Sequence, residues 1–320
     1  MNDSKLTYHV PVLLKESIEA LNIKPGGTYV DVTMGGGGHS RALLERLGRE
    51  GHLYGFDQDA DAVANAPQDT RFTFVRSNFR FLKNWLNYYN ALPVDGLLAD
   101  LGVSSHHFDS AERGFSLRQK GPLDMRMNQT GDLTAADVVN NYDRSQLSEI
   151  FMKYGELYGI QNALANAIVK EREKRPFVTT EDLIEATAPV LDKSREKKDL
   201  AKMFQALRIE VNHEMDALTQ MLYAGIEALR PGGRLVVLSY HSLEDRLVKN
   251  FMRSGNDTGA VQKDFYGNSV SPMKIIKGFD QKPTQEEQEL NPRSRSANLR
   301  IAERTDSPAY EWNGVKRPIA

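Results

Sequence analysis

The chain has 320 residues, of which 40% are hydrophobic and 26% are charged, values that exclude a disordered or collagen-like protein. This length exceeds one ordinary domain, so we expect a main domain with a sizeable insertion or partner domain. The formal net charge of −2 excludes a protein that coats nucleic acid with its whole surface, and any RNA contact must therefore be local.

The sequence up to Asp100 predicts alternating strands and helices. Short β-branched or apolar runs indicate strands, and apolar residues with a helical spacing indicate helices between them. The strands are predicted at 28–35, 52–57, 72–75 and 95–100, and the helices at 12–21, 40–48, 61–66 and 79–89. This alternation is typical of a parallel α/β sheet covered by helices.

From Phe108 to Ala201 the strand signal is lost and helical patterns replace it. Thr179 and Asp182 have the spacing of a capping box at a helix start. The strand pattern then resumes after a long helix, and KIIKGF and ANLRIAER predict a closing antiparallel pair. We therefore expect a sheet domain formed by 1–107 and 202–320, with an inserted helical domain at 108–201.

Four consecutive glycines, 35 to 38, follow the first strand. They lie at the edge of the sheet where doubly wound folds bind ligands, and they allow the backbone to approach a ligand closely. Asp57 ends the second strand, where a carboxylate can accept hydrogen bonds from both hydroxyls of a ribose. Asp100 ends the fourth strand and reaches the same crevice. The pattern predicts a cofactor that contains adenosine.

The glycine loop alone has two other interpretations, a tight turn without a ligand and the cofactor loop of an NAD-dependent oxidoreductase. The loop does not decide between them, because Gly35, Gly37 and Ser40 match the pattern GxGxxG only loosely. The end of the sheet distinguishes a methyltransferase from a dehydrogenase. A final antiparallel pair is the order of class I methyltransferases, whereas a dinucleotide dehydrogenase normally ends with a parallel sixth strand. The expected fold is therefore Rossmann-like: a class I methyltransferase sheet, mostly parallel and ending in an antiparallel strand, with an inserted helical domain.

Seven separated segments together resemble the ribosomal RNA small subunit methyltransferase H family. They are HVPVLL (9–14), DVTMGGGGHS (31–40), LLADLGVSS (97–105), ERGFS with GPLDMRM (112–127), FQALRIEVN (204–212), SYHSLEDR (239–246) and NPRSRSANLRIAER (291–304). The resemblance spans nearly the whole chain. It implies S-adenosylmethionine as the methyl donor and N4-methylation of a cytosine in the P-site region of 16S rRNA, in the small ribosomal subunit.

The resemblance also implies which residues contact the cofactor. They are Gly37, Gly38, His39, Asp57, Phe79, Asp100 and His107. Phe79 would be an apolar wall for the adenine, with ordinary helix packing as the alternative, and His39 could equally be a first-turn residue without a ligand. At 106–107 this sequence has two histidines where relatives commonly have Pro-Gln. We do not interpret this pair as a metal site, because no third ligand follows at a diagnostic spacing.

Asp100 is the first candidate for a catalytic residue, as the acceptor of a proton from the cytosine amine. The alternative is that Asp100 only orients the cofactor and that a backbone carbonyl or water accepts the proton. Arg113, Arg126, Arg293 and Arg295 are predicted to contact RNA phosphates, because they lie in segments without helical periodicity. The inserted domain would hold the RNA.

The residues His241, Glu244 and Asp245 follow the fifth strand and could line a pocket for the base. The alternative is helix capping, for which Ser242 and Asp245 have the spacing of a capping box. Two other functions stay open: a methyltransferase for another base or a protein side chain, and a catalytically silent RNA-binding or assembly factor that retains the fold.

The absence of cysteine excludes disulfides and thiolate metal sites. No apolar run reaches the roughly 20 residues that a membrane helix needs, and the first segment lacks the pattern of a signal peptide. We therefore expect a cytoplasmic protein without membrane contact. The sequence leaves the oligomeric state open, with a homodimer as one alternative.

Overall fold

The computed structural model of the protein describes residues 11–102, 110–279 and 282–310, apart from the side chain of Arg293. These residues form two compact units. The first contains 11–102 together with the described residues from 215 onwards, and the second contains 110–214. None of the helices in the described ranges combines the length and apolar character that a membrane span requires.

The first unit is built on a seven-stranded sheet in the order β3-β2-β1-β4-β5-β9-β8. Its strands are β1 (Thr28–Asp31), β2 (His52–Asp57), β3 (Phe72–Arg76), β4 (Val94–Asp100), β5 (Leu229–Ser239), β8 (Met273–Ile275) and β9 (Asn298–Arg304). Strands β1 to β5 are parallel, and β9 runs antiparallel to both of its neighbours. This is the strand order of the class I methyltransferase fold, and the fold class predicted from the sequence is confirmed.

The helices bury apolar faces and leave polar residues exposed. Their bounds are α1 (Leu14–Ala20), α2 (Gly38–Arg46), α3 (Leu82–Tyr88), α4 (Ala135–Asn141), α5 (Arg144–Lys153), α6 (Gln161–Arg172), α7 (Thr180–Thr187), α8 (Glu196–Asn212), α9 (Glu214–Ala228), α10 (Ser242–Ser254) and α11 (Gln285–Leu290). A separate pair of short strands, β6 (Gln262–Lys263) and β7 (Ser269–Val270), forms a hairpin between α10 and β8.

The order of the strands creates one crevice in the first unit. Strand β1 lies between β2 and β4, so the chain continues to one side of β1 and then returns to the other side. Folds of this kind bind ligands at such a reversal of strand order, beyond the carboxyl ends of the strands. The candidate site residues Asp57 and Asp100 are the last residues of β2 and β4.

The second unit is helical and has its own core. Phe151 on α5 is fully buried in a cluster to which α4, α6, α7 and α8 also contribute. The helix starts are specified locally, since Thr134, Asp143 and Thr179 each form a capping box with the residue three positions later. The capping box predicted for Thr179 and Asp182 is confirmed.

Helix α8 belongs to this helical unit. Its residues Met203, Phe204 and Leu207 are buried in the helical core. At its end, the side-chain amide of Asn212 accepts a hydrogen bond from the backbone of Met127 at 2.7 Å and so joins α8 to the segment before α4. The unit therefore extends to 214, beyond the boundary at 201 that we expected, because the apolar face of α8 packs on the other helices of the unit.

Candidate active site

The carboxyl ends of four neighbouring strands bring together the polar residues of the candidate site. Asp57, Asp31, Asp100 and Ser239 end β2, β1, β4 and β5 in that spatial order. Parallel strands place these residues at one edge of the sheet, although the sequence separates the first from the last widely. The structure thus places Asp57 and Asp100 at the edge where we expected them.

The glycine loop between β1 and α2 is held by the side chain of Asp57. The backbone N–H of Gly35 donates to Asp57 Oδ2 at 2.8 Å, and the N–H of Asp59 donates to Oδ1 at 2.8 Å. Gly35 and Gly37 have φ angles of +48° and +74°, in the left-handed region that favours glycine. Asp57 thus orders the glycine loop from the end of β2.

Two further side chains bind the carbonyl groups of this loop. Arg41 donates to the carbonyl of Gly36 at 2.8 Å, and the amide of Asn65 donates to the carbonyl of Gly35 at 3.2 Å. The amide of Gly37 donates to the carbonyl of Met34 at 2.7 Å. The loop is therefore fixed from both sides before any ligand binds.

The glycines of the loop differ in what surrounds them. A Cβ atom on Gly37 would lie 2.8 Å from the carbonyl oxygen of Asn65, and one on Gly38 would lie 2.2 Å from the ring of Pro11. A Cβ atom on Gly36 would meet no described atom within 4 Å. Internal packing thus explains glycine at 37 and 38, which the sequence analysis named. Gly36, which it did not name, is the position that faces open space.

Phe79 follows β3 in a short 3₁₀ helix, Phe79–Phe81, before α3 begins. Asn78 caps this helix through the N–H of Arg80 at 3.0 Å. The side-chain amide of Asn78 also donates to Gln58 Oε1 at 2.8 Å, which joins the loop after β3 to the residue after Asp57. Phe79 itself is half-buried. The loop that carries Phe79 is therefore joined to the residue after β2, and part of the Phe79 surface is accessible.

Asp100 is held by donors on one side and faces an imidazole on the other. Its Oδ1 accepts a hydrogen bond of 2.6 Å from the hydroxyl of Tyr240, and its backbone N–H donates to Thr33 Oγ1 at 2.6 Å. Its Oδ2 lies 3.6 Å from Nδ1 of His39, and a quarter of the side chain is exposed. Burial raises the pKa of Asp100 to about 7 against the effect of the Tyr240 hydrogen bond, and the carboxylate of Glu244 adds to the rise.

His39 lies in the first turn of α2, between Asp100 and Asp31. It is 6% exposed, and burial lowers its pKa although Asp31 opposes the change, so the imidazole is neutral at neutral pH. Asp31 is also buried and accepts a hydrogen bond from Ser40 Oγ at 2.7 Å. Burial raises the pKa of Asp31. His39 thus lies beside the partly exposed carboxylate of Asp100, interacts electrostatically with the buried Asp31, and exposes little surface to a ligand.

Tyr240 was not among the residues that the sequence analysis selected. It follows β5 directly, and its backbone N–H donates to Glu244 Oε2 at 2.9 Å. Burial raises the pKa of Tyr240 well above its usual value, so its hydroxyl stays protonated and donates to Asp100. In the sequence, its place directly after a strand that ends at the crevice is only a weak indication of a site residue. Only the folded structure shows that its hydroxyl reaches Asp100.

The helix α10 is capped by a different pair from the one we predicted. His241 is the N-cap, and its ring and the carboxylate of Glu244 form the capping box, whereas the sequence pattern suggested Ser242 and Asp245. Asp245 instead forms a two-pronged ion pair with Arg300 on β9, with N···O distances of 2.7 and 2.8 Å. The capping interpretation is correct in kind but wrong by one residue, because the helix starts at Ser242.

Two of the arginines predicted to bind RNA make internal contacts instead. Arg113 is 6% exposed, and its guanidinium donates to the backbone carbonyls of Arg126 and Met127, both at 3.0 Å. Arg126 forms a two-pronged pair with Asp124 at 2.9 and 2.7 Å and also donates to the carbonyl of Gly131. These contacts correct the expectation for both residues, because their donors hold the backbone before α4.

The other residues predicted to contact RNA or the cofactor are Arg295, Arg293 and His107. Arg295 is exposed in the short 3₁₀ helix Pro292–Ser296, where a phosphate could reach it. The side chain of Arg293 and the whole of His107 lie outside the described residues.

Comparisons with known proteins agree with this fold. The MraW methylase family matches residues 6–305 of the chain. The ribosomal RNA small subunit methyltransferase H of Phocaeicola vulgatus is 58% identical over 304 residues, which cover 95% of this chain and 100% of that protein. The proteins of the same name from Parabacteroides distasonis and Christiangramia forsetii are 59% identical over 305 residues and 51% identical over 297 residues. Those matches cover 95% and 93% of this chain, and 100% and 98% of the two relatives. The chain therefore belongs to the MraW methylase family.

Proposed function

We propose that the protein transfers a methyl group from S-adenosylmethionine to N4 of a cytosine in the P-site region of 16S rRNA. At the coarser level it is a ribosomal RNA methyltransferase of the small subunit, with S-adenosylmethionine as its cofactor. The choice of cytosine N4 follows the family resemblance, and the observation that supports methylation of an amine is Asp100, a crevice carboxylate that Tyr240 holds at Oδ1 and whose pKa burial raises to about 7. A group with this pKa can accept a proton from an amine near neutral pH.

The residues around the crevice fit an adenosine-containing cofactor. Gly36 faces open space in a loop whose other contacts are internal, so a ligand can approach the backbone there. Asp57 ends β2, where a carboxylate can accept hydrogen bonds from ribose hydroxyls, and Phe79 has an accessible surface for the adenine. When bound, S-adenosylmethionine supplies an electrophilic methyl group on a sulfonium. Gly37 and Gly38 shape the loop, and both of them, with His39 and His107, stay predicted cofactor contacts, as the resemblance implied.

The cytosine amine is a weak nucleophile because its lone pair is delocalised into the ring. An acceptor on its N–H strengthens the nucleophile and then removes the proton. Asp100 is suited to this role, since Tyr240 occupies Oδ1 while Oδ2 has only the neutral His39 at 3.6 Å among its described contacts. The alternative role, in which Asp100 only orients the cofactor, predicts a loss of cofactor affinity when the carboxylate is replaced.

The target base must leave its stack before it can reach a methyl group inside the crevice, so the RNA there is single-stranded or flipped out. We propose that the helical unit 110–214 recognises this RNA, as the sequence analysis expected. Arg293 and Arg295 stay predicted phosphate contacts, whereas the internal contacts of Arg113 and Arg126 argue against that role for them.

The proposed substrate is tested by incubating the protein with labelled methyl donor and undermethylated small ribosomal subunits, followed by mapping of the modified nucleotide. We expect one cytosine of 16S rRNA to carry the label on N4. A label on another base, or on a ribosomal protein, would contradict the proposed substrate. Tight binding of S-adenosylmethionine without any transfer would favour the silent assembly factor.

Replacing Gly36 by alanine tests the position of the cofactor. The added methyl group meets no atom of the described residues within 4 Å, so we expect the free energy of unfolding to change by less than about 0.5 kcal/mol. The same methyl group would occupy the space of the ligand, and the affinity for S-adenosylmethionine should fall about tenfold or more, or about 1.4 kcal/mol. Calorimetry measures the affinity. The control is Gly26→Ala, whose Cβ would have its nearest neighbour at 3.9 Å. Unchanged affinity for S-adenosylmethionine in both variants would show that the cofactor binds elsewhere.

The pKa of Asp100 predicts how the reaction depends on pH. Protonation removes the acceptor, so kcat/KM should fall about tenfold for each pH unit below about 7 and level off above it. Asp100→Asn should lower turnover about 100-fold or more, because proton transfer by a positioned group contributes at least that factor. Its affinity for S-adenosylmethionine should stay within about twofold of the original. Lost affinity in this variant would mean that Asp100 serves the cofactor and not the proton.

Replacing Tyr240 by phenylalanine removes the hydrogen bond that stabilises the carboxylate of Asp100. The pKa of Asp100 should rise, because this hydrogen bond lowers it, and the acidic limb of the kcat/KM profile should move to higher pH. Tyr223→Phe is the matched control, since the hydroxyl of Tyr223 donates to Asp257 at 2.8 Å, away from the crevice. Two variants with the same pH profile would show that Tyr240 has only a structural role.

A further inference from the structure

The hairpin formed by β6 and β7 exposes two adjacent aromatic side chains. Every residue from 262 to 269 is exposed, and at the turn Phe265 and Tyr266 are 97% and 85% exposed. Their rings lie 5.5 Å apart and nearly perpendicular, with 87° between the planes. Aromatic rings bury a large apolar area when they bind, so this hairpin presents a compact surface for a partner.

The turn that carries the rings is ordered by its own hydrogen bonds. The carboxylate of Asp264 accepts from the backbone N–H of Tyr266 at 2.9 Å and of Asn268 at 2.8 Å. The side-chain amide of Asn268 donates to the same carboxylate at 3.0 Å. Gly267 supplies the left-handed backbone conformation, with a φ of +84°. A turn fixed in this way loses little conformational entropy when its rings bind.

The charge around the hairpin is positive, although the chain as a whole is not. The segment 258–279 contains three lysines and one aspartate, whereas the chain carries a net charge of −2. Lys263, Lys274 and Lys277 are exposed. The aspartate is Asp264, whose carboxylate is engaged in the turn. Exposed aromatic rings in the same segment as exposed lysines match the bases and phosphates of an unpaired RNA strand.

The hairpin lies at the end of the sheet away from the crevice. Asn298, the first residue of β9, pairs with Ser239 at the carboxyl end of β5. Arg304, the last residue of β9, pairs with Met273 at the start of β8, directly after the hairpin. The partner of the hairpin therefore cannot be the nucleotide that is methylated. It must be a part of the same RNA at a distance from it, or another molecule.

We propose that Phe265 and Tyr266 form a second RNA-binding surface, on which an unpaired base of the ribosomal RNA stacks while the neighbouring lysines contact phosphates. This proposal rests on the rRNA methyltransferase function and not on the roles of Asp100 or the cofactor residues. The surface binds the RNA at a distance from the target nucleotide and so adds affinity for long or folded rRNA.

The test uses a double variant that carries both Phe265→Ala and Tyr266→Ala, and compares it with the unchanged protein. The dissociation constant for protein-free 16S rRNA should rise about tenfold or more, because stacking on an aromatic ring stabilises a bound base substantially. The salt dependence of binding should stay the same. Replacing Lys263, Lys274 and Lys277 by glutamine should instead reduce the slope of log affinity against log salt by up to about 2, since each contact with a single strand contributes about 0.7. Melting temperature and affinity for S-adenosylmethionine should be unchanged in both variants.

Tyr88→Ala is the matched control, since this tyrosine is 73% exposed on α3 and has no place in the proposal. An unchanged affinity of the aromatic double variant for 16S rRNA would overturn the proposal. Weaker binding to assembled small subunits with unchanged binding to protein-free rRNA would also overturn it, because the partner would then be a ribosomal protein. A wrong choice of methylated base would leave these binding results intact, so the two failures can be told apart.

Discussion

The site depends on carboxylates at the ends of buried parallel strands, where each of them needs donors from the protein. A buried carboxylate without partners is costly, so the surrounding backbone and side chains are arranged to supply hydrogen bonds. Ser40 donates to Asp31, the amide of Gly35 donates to Asp57, and Tyr240 donates to Asp100. These three hydrogen bonds also fix the start of α2, the glycine loop and the segment after β5. The same interactions that satisfy the carboxylates therefore shape the crevice.

The carboxylates of Asp57 and Asp100 thus have different properties, although both lie at the carboxyl ends of strands in one sheet. Asp57 accepts hydrogen bonds from two backbone amides and orders the glycine loop, which suits the proposed binding of a ribose beside it. Asp100 is more weakly satisfied, and burial raises its pKa to about 7, which suits the acceptance of a proton. The neutral ring of His39 beside Asp100 adds no positive charge that would lower this pKa. The environment, and not the residue type, separates the two proposed roles.

The positive residues also divide into two groups. Arg113, Arg126 and Arg300 are bound by carbonyls or carboxylates of the same chain, and their charge stabilises the fold. The lysines around the hairpin and Arg295 are exposed. A near-neutral protein that acts on RNA needs such a separation, because only charges that are not already paired can displace counterions from phosphates. The hairpin carries Lys263 together with two exposed aromatic rings.

The sequence by itself determined the features that local patterns encode. The alternation of strands and helices predicted the sheet, the final antiparallel pair distinguished the class of fold, and the spacing of Thr179 and Asp182 predicted a capping box that the structure contains. Asp57 and Asp100 could be placed at one edge because the ends of parallel strands must meet there. These inferences succeed because periodicity, turns and caps act over a few residues.

The tertiary structure alone decided which groups meet across long separations. Tyr240 and Asp100 are 140 positions apart, and no local pattern indicates their hydrogen bond. Glycine at 36 looks the same in the sequence as glycine at 38, yet one faces open space and the other packs on Pro11. Arg113 has the surroundings of a surface residue in the sequence, but the folded chain encloses it. Burial and contact depend on the whole packed chain, and so only the folded structure determines them.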